Sequence, residues 1–183
     1  PVKDNFNRSK QPIPGPAKAA TVPEYYNAKM DNGIRIIGTK TTEVPTVDII
    51  MTIKGGHLFS AYDPKKIGIA RLTAEMMNEG TKTYTSEQLS HELDKLGANI
   101  NFSAGTTATT IFITTLDKNV DATLKLLEDM LYNPRFDAED FKRIKNQAIE
   151  GFYTEIKDAS LTANKAFAKL IYGDDHILGA SPS

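Results

Sequence analysis

Apolar residues along the chain follow two periods, one typical of strands and one typical of helices. Five short stretches rich in β-branched residues predict strands at 27–30, 34–39, 46–53, 99–104 and 109–116. Five stretches with apolar residues at helical spacing predict helices at 68–81, 86–96, 119–131, 137–157 and 160–171. Three strands, two helices, two strands and three helices in this order predict an α+β two-layer sandwich, mostly antiparallel, with helices packed on one face of the sheet.

Residues that begin or end helices support these boundaries. Thr85 and Gln88 have the spacing of a capping box at the start of the second helix. Asp137 and Ser160 are predicted to cap the starts of the last two helices with their side-chain oxygens. Gly80 is predicted to be the C-cap of the first helix, because glycine adopts the left-handed conformation that often ends a helix.

The first predicted helix is amphipathic. Its apolar stripe has the i, i+3, i+4, i+7 spacing of one helix face and consists of Ile69, Leu72, Thr73 and Met76. Arg71, Glu75 and Asn78 are predicted to lie on the opposite, polar face. Because Arg71 and Glu75 are one turn apart and carry opposite charges, they are predicted to form an ion pair.

Composition narrows the classes of function. The chain has 183 residues, of which 40% are hydrophobic and 25% charged, as expected for one globular domain with a tail. A net charge of -1 argues against a nucleic-acid partner. The absence of Cys excludes disulfides, thiolate catalysis and Cys-based zinc sites. No apolar run approaches the roughly 20 residues of a membrane span, so no membrane insertion is predicted in this segment.

The first 25 residues differ from the rest in composition. They contain Pro12, Pro14, Pro16 and Pro23 among small and polar residues, without strand or helix periodicity. We therefore expect residues 1–25 to be an extended linker and residues 26–183 to be the folded domain. Since the chain begins with Pro rather than Met, we also expect a segment to precede it.

The block 68–81 carries a family signature at its two ends. Its Gly68, Ala70, Met76, Gly80 and Thr81 match the pattern Gly-x-Ala-His-x-x-Glu-His-Met followed four residues later by Gly-Thr. This pattern is that of the pitrilysin and insulinase zinc peptidases, family M16, which the chain resembles.

The residues that perform catalysis in that family are replaced here. The resemblance places the first His at Arg71, the catalytic Glu at Ala74 and the second His at Glu75. The third zinc ligand of the family, a Glu on a later helix, falls on Glu150, and the acid seven positions before it falls on Arg143. Arg cannot offer a lone pair to a metal, and a lone Glu cannot hold zinc. The resemblance therefore implies no catalytic residue, no metal site and no cofactor in this domain.

The resemblance extends along most of the chain. The matching segments are an Asn-Gly hairpin at 31–35, a Gly-Gly strand end at 54–56, a Gly-Ala-x-x element at 96–100, an Asn-Pro turn at 131–136 and a closing His-x-x-Gly block at 172–179. It implies the metallohydrolase fold that LuxS shares with the mitochondrial processing peptidases (LuxS/MPP-like). It also implies that residues 26–183 are an inactive domain, the first subdomain in the second half of a longer protein.

Other patterns of reactive residues are weak. His57, His91 and His176 have no second His at metal-ligand spacing, and His176 matches a structural position of the family. The serines Ser60, Ser86, Ser90 and Ser160 lie in no nucleophile motif.

The resemblance implies a domain that pairs with an active M16 half, on the same chain or as a separate subunit, to enclose and bind a peptide substrate. That half, not this domain, is expected to hold zinc and act as the metalloendopeptidase. Arg71, Glu75, Asn78 and Glu150 are the residues expected to face the chamber. Two alternatives stay open: an active zinc peptidase domain using Glu75, Glu150 and a His, or a structural subunit such as those in respiratory complexes. A bacterial periplasm or cell envelope is the expected compartment.

Overall fold

The structure, a computed structural model, describes residues 9–11, 15, 23–41, 43–60, 63, 66–174, 176 and 178–179. Most of the predicted linker 1–25 lies outside the described residues. The chain divides into two compact units, Pro1–Val44 and Pro45–Ser183. No helix of the described residues is long and apolar enough to cross a membrane.

The described part of the first unit is a β-hairpin. Strands β1 (Tyr25–Lys29) and β2 (Arg35–Thr39) pair antiparallel. The turn between them contains Gly33 with a φ of 90°, a backbone conformation that favours glycine, and the Asn32 side chain accepts a hydrogen bond from the Ile34 N–H. The predicted hairpin is confirmed.

The second unit contains three strands and five helices among its described residues. Their bounds are β3 Thr46–Lys54, α1 Ile69–Met77, α2 Ser86–Leu96, β4 Asn99–Ala104, β5 Ala108–Leu116, α3 Val120–Tyr132, α4 Ala138–Glu155 and α5 Ala159–Tyr172. Short 3₁₀ turns lie at His57–Ser60 and Asp117–Asn119. The predicted order of elements is confirmed.

The sheet of the second unit has the order β3-β5-β4 and is antiparallel throughout. Side chains on one face of β4 and β5 are buried with residues of α1, α2 and α3, and form the core: Ala74, Leu89, Ile100, Phe102, Ile111, Ile113, Leu127 and Met130. On the opposite face Ile50 and Phe112 are exposed. The predicted α+β sandwich with helices on one face of an antiparallel sheet is therefore confirmed.

The start of α2 was predicted correctly. The Gln88 N–H donates to the Thr85 hydroxyl at 3.3 Å, and the Thr85 N–H donates to the Gln88 side chain at 2.9 Å. These two hydrogen bonds complete the capping box and satisfy backbone donors that the first helical turn leaves free.

Two other helix ends differ from the prediction. Helix α1 ends at Met77 with Asn78 as its C-cap, while Gly80, at a φ of 114°, forms a bridge with Thr85. Gly80 is needed because a Cβ there would lie 2.7 Å from the Tyr84 carbonyl oxygen. Helix α5 is capped by Asp158, not Ser160, because the Asp158 carboxylate is placed to accept from the Ser160 and Leu161 N–H groups.

The predicted apolar stripe of α1 is wrong at two positions. Ile69 and Thr73 are exposed, while Met76 is buried and Ala74, absent from the prediction, is buried as well. Helix α1 packs against β4 with the side that carries Ala74. A small side chain permits close approach of helix and strand, although it adds little to a hydrophobic pattern.

Candidate functional site

The polar side of α1 carries the predicted ion pair. The Arg71 guanidinium nitrogen Nε lies 2.8 Å from the Glu75 carboxylate oxygen Oε1, and both side chains remain partly exposed. The predicted pairing is confirmed. This turn of α1 therefore carries opposite charges that are paired with each other.

Ala74 lies between these two residues in sequence but on another side of the helix. It is 3% exposed and belongs to the core cluster. A methyl group cannot accept a proton from water, so Ala74 contributes packing only.

Asn78 does not share the open side with Arg71 and Glu75, which corrects the prediction that all three lie on one free polar face. Its side-chain Oδ1 accepts from the Phe102 N–H at 2.9 Å, and its Nδ2 donates to the Phe102 carbonyl at 3.1 Å. Nδ2 also lies 3.2 Å from the Ala74 carbonyl. The amide is thus fully engaged between α1 and β4.

The segment just after α1 is joined to helix α4 by an ion pair that sequence reasoning did not single out. The Arg143 guanidinium pairs with Glu79, whose side chain is only 18% exposed, and also approaches Asp140 at 3.4 Å. The hydrogen bond with Glu79 raises the pKa of Arg143 above its ordinary value, with a smaller contribution from Asp140. The signal in the sequence was an Arg where the family has an acid, together with an acid one turn after Glu75.

Glu150, the match to the third zinc ligand, lies exposed on α4. The residues described hold no group of three or more His, Asp or Glu side chains that could bind a metal ion. The donors also do not fit zinc chemically, because Arg71 cannot ligate and the Glu75 carboxylate is engaged by Arg71. Arg71 and Glu75, paired in this way, are therefore poor donors for zinc.

The three histidines occupy different environments. His91 is exposed on α2, and His57 is half-buried at the start of a 3₁₀ turn. His176 stacks on Tyr172 with ring centroids 5.4 Å apart, and its Nδ1 accepts from the Leu178 N–H. Each of these contacts is local, and none brings a second histidine into the arrangement.

Two residues that carry the family resemblance, Gly80 and Thr81, lie in a separate set of hydrogen bonds. Gly80 and Thr81 meet the Asn133-Pro134 turn: the Lys82 N–H donates to the Asn133 carbonyl at 2.8 Å, and the Arg135 N–H to the Gly80 carbonyl at 3.3 Å. We call this arrangement, residues 80–82 with 133–135, the signature knot.

Thr81 is the buried centre of the signature knot. It is 1% exposed, and its hydroxyl accepts from the Thr83 and Tyr84 N–H groups at 3.1 and 3.0 Å. The Thr81 hydroxyl, followed by the Asn133 side chain, lowers the pKa of Asp129 against the opposing effect of burial. Gly80 and Thr81 thus support this turn, and none of these hydrogen bonds involves positions 71, 74 or 75.

Comparison with known proteins identifies the family of the chain. The family model described as Insulinase (Peptidase family M16) matches residues 35–172. The chain belongs to peptidase family M16. Family M16 relatives include the uncharacterized zinc protease YmxG of Bacillus subtilis, 27% identical over 150 residues, covering 81% of this chain and 36% of the relative. The non-peptidase homolog YmxG of Helicobacter pylori is 22% identical over 165 residues, 90% of this chain and 37% of the homolog.

A solved M16 structure has the same fold. The peptidase M16 inactive domain from Pseudomonas fluorescens matches with a TM-score of 0.76 and 24% identity, covering 86% of this chain and 38% of that one. The chain thus spans little more than a third of the length of these M16 proteins.

Proposed function

We propose that this chain is a catalytically inactive M16 domain that pairs with an active half and helps to enclose and bind a peptide substrate. The observation that carries the proposal is the Arg71–Glu75 ion pair, with Ala74 buried between its members in sequence. Zinc peptidase chemistry needs ligands with lone pairs and a carboxylate that activates water. At these positions the chain offers a closed ion pair and a methyl group.

Two of the proteins it resembles support an inactive role. One is described as an inactive M16 domain and the other as a non-peptidase homolog. Since the chain covers only part of their length, its partner is proposed to be an active M16 half, on the same polypeptide or a separate subunit. Zinc belongs to that partner in this proposal, and the domain itself needs no cofactor.

The surface proposed to meet the peptide is the polar side of α1 together with the exposed side of α4. It carries the Arg71–Glu75 pair on α1 and Glu150 on α4. Lys142, Asn146 and Gln147 lie near Glu150 on the same side of α4. Mixed charges and amides of this kind contact a peptide through its polar groups, a weak and adaptable form of binding.

The first experiment is the zinc content of the chain after zinc loading and exhaustive dialysis, measured by elemental analysis. We expect less than about 0.1 equivalent, because protein zinc sites bind too tightly to empty under dialysis. Near one equivalent, lost in Glu75→Gln or Glu150→Gln but kept in the control Glu87→Gln, would establish the alternative, an atypical zinc enzyme.

The second experiment separates substrate binding from a purely structural role. In the complete protein, or with its active subunit, Arg71→Ala is expected to raise the KM for a fluorogenic peptide by about threefold with kcat nearly unchanged, as loss of uniform binding does. Lys125→Ala, on α3, is the control. An unchanged KM in Arg71→Ala and in Glu150→Ala would favour the structural subunit.

A further inference from the structure

Asn78 contacts β4 in a way that a helix C-cap does not require. One hydrogen bond of the Asn78 side chain is ordinary for a helix end: Nδ2 donates to the Ala74 carbonyl, one turn earlier in the same helix. The additional contact is a pair of hydrogen bonds with one residue of the sheet: Phe102 N–H to Oδ1 at 2.9 Å and Nδ2 to the Phe102 carbonyl at 3.1 Å. We call this pair the amide clamp.

The amide clamp lies on the outer edge of the sheet. Among the strands that the structure describes, in the order β3-β5-β4, β4 has a neighbour only on its β5 side. In an antiparallel pair, alternate residues direct both their N–H and C=O groups toward the partner and the others direct them away. Because Phe102 gives both groups to Asn78, it is one of the residues facing away from β5.

Phe102 is also the central residue of that edge. With β4 running from Asn99 to Ala104, the outward-facing residues are Ile100, Phe102 and Ala104. An added strand would form its ladder with these three residues. Occupying the middle one removes two hydrogen bonds at once and interrupts the ladder at its centre.

The chemistry of the clamp is that of a strand pair. A primary amide presents an acceptor oxygen and a donor N–H on the same side, as one residue of a strand presents its C=O and N–H, so Asn78 offers Phe102 the two bonds that an incoming strand would offer. Unpaired edges attract extended chains, and proteins commonly block them.

We propose that Asn78 closes the outer edge of β4 to an extended polypeptide strand. Peptide contacts of the domain then come from side chains on α1 and α4, and not from a main-chain ladder on β4. The closure of the edge depends on the two hydrogen bonds of Asn78 and on the order of the sheet, and only the statement about α1 and α4 rests on the proposed function. It goes beyond the proposed function and can fail while the zinc experiment succeeds.

Hydrogen exchange of the full, unmodified chain is the first test. The Phe102 amide is expected to exchange at least about tenfold more slowly than the Ala104 amide, which also faces outward on β4. Equal exchange rates for the two amides would overturn the proposal without any variant.

The second test opens the edge. Asn78→Ala removes the clamp, and Asn119→Ala is the matched control: the Asn119 side chain donates to the Leu96 carbonyl at 2.7 Å, which also ties two elements but not at a sheet edge. Phe102 exchange is expected to rise about tenfold in Asn78→Ala and to stay unchanged in Asn119→Ala. Asn78→Asp, which keeps an acceptor for the Phe102 N–H, provides an intermediate if Asn78→Ala does not fold.

The probe for strand addition is a fluorescent peptide with the sequence of β5, residues 108–116, which already pairs with β4 on its inner side. Asn78→Ala is expected to bind it at least about tenfold more tightly than the unmodified chain or Asn119→Ala. Equal affinity in all three proteins, or a folded Asn78→Ala with no gain, would overturn the proposal.

Discussion

Arg71 and Ala74 lie within one turn of α1 but in opposite surroundings. Arg71 is half-exposed and bound to Glu75, whereas Ala74 is enclosed by the core. At this scale the proposed lack of peptidase chemistry has two separate physical causes. One is the choice of a side chain that cannot lose its proton, and the other is a packed environment with no room for an acid.

Restoring the acid at the second position is predicted to damage the fold. Ala74→Glu would bury a carboxylate among apolar side chains of the core. We therefore expect the free energy of unfolding to fall by about 3 kcal/mol. Urea denaturation measures the change. Thr73→Glu, on the exposed side of the same helix, is the control and is expected to cost less than about 0.5 kcal/mol. Equal stability of the two variants would contradict the burial of Ala74.

Between elements, the Glu79–Arg143 ion pair joins the segment after α1 to α4. Glu79 is largely buried while Arg143 is half-exposed, so solvent screens the pair only in part. We predict a coupling of about 1 kcal/mol between Glu79 and Arg143 in a double-mutant cycle with Ala. The Arg71–Glu75 pair, confined to one helix surface, is expected to give about 0.4 kcal/mol. A Glu79–Arg143 coupling smaller than that of Arg71–Glu75 would show that the Glu79–Arg143 pair is a surface contact.

The capping box of α2 gives a second prediction at this scale. Thr85→Ala removes the hydroxyl that accepts from the Gln88 N–H and is expected to lower the free energy of unfolding by about 1 kcal/mol. Ser86→Ala, at the first helical position, serves as the control, with little expected change. Thermal unfolding compares the two. Similar midpoints would mean that water replaces the cap without loss.

Local patterns were sufficient to predict most elements and the Arg71–Glu75 pair. Strand β5 is β-branched along its length, and α2 has its capping residues at fixed spacing, so short-range chemistry specifies both. Gly80 was wrongly assigned as a helix C-cap, because a glycine with a positive φ occurs both at helix ends and at tight bridges. Only the Tyr84 carbonyl close to Gly80 distinguishes the two cases. The contact of Asn78 with Phe102 spans 24 residues, a distance over which periodicity carries no information.

For the molecule as a whole, the signature knot gives stability a dependence on pH. The folded-state pKa of Asp129 lies below its ordinary value, chiefly through the Thr81 hydroxyl. The folded chain therefore binds this proton more weakly than the unfolded chain. The resulting stabilisation is fully present above the ordinary carboxyl pKa of about 3.9 and is lost as the pH falls through the lower folded-state value.

Asp129→Asn is thus predicted to be less stable than the unmodified chain at neutral pH, with the difference shrinking as the pH falls toward about 2. Urea denaturation at several pH values in this range gives the free energy of unfolding of both proteins, and hence how each changes with pH. Asp121→Asn, at an exposed position of α3, is the control. A difference between Asp129→Asn and the unmodified chain that stays constant with pH would show that Asp129 acts through packing instead of charge.

The signature knot also bears on how such a chain can change over time. Its contacts involve residues 80–82 and 133–135 and leave positions 71, 74 and 75 untouched. The hydrogen bonds around Gly80 and Thr81 are therefore independent of the ion pair on α1, so the side chains at positions 71 and 75 can be exchanged without disturbing that turn. Position 74 has no such freedom, because Ala74 belongs to the core.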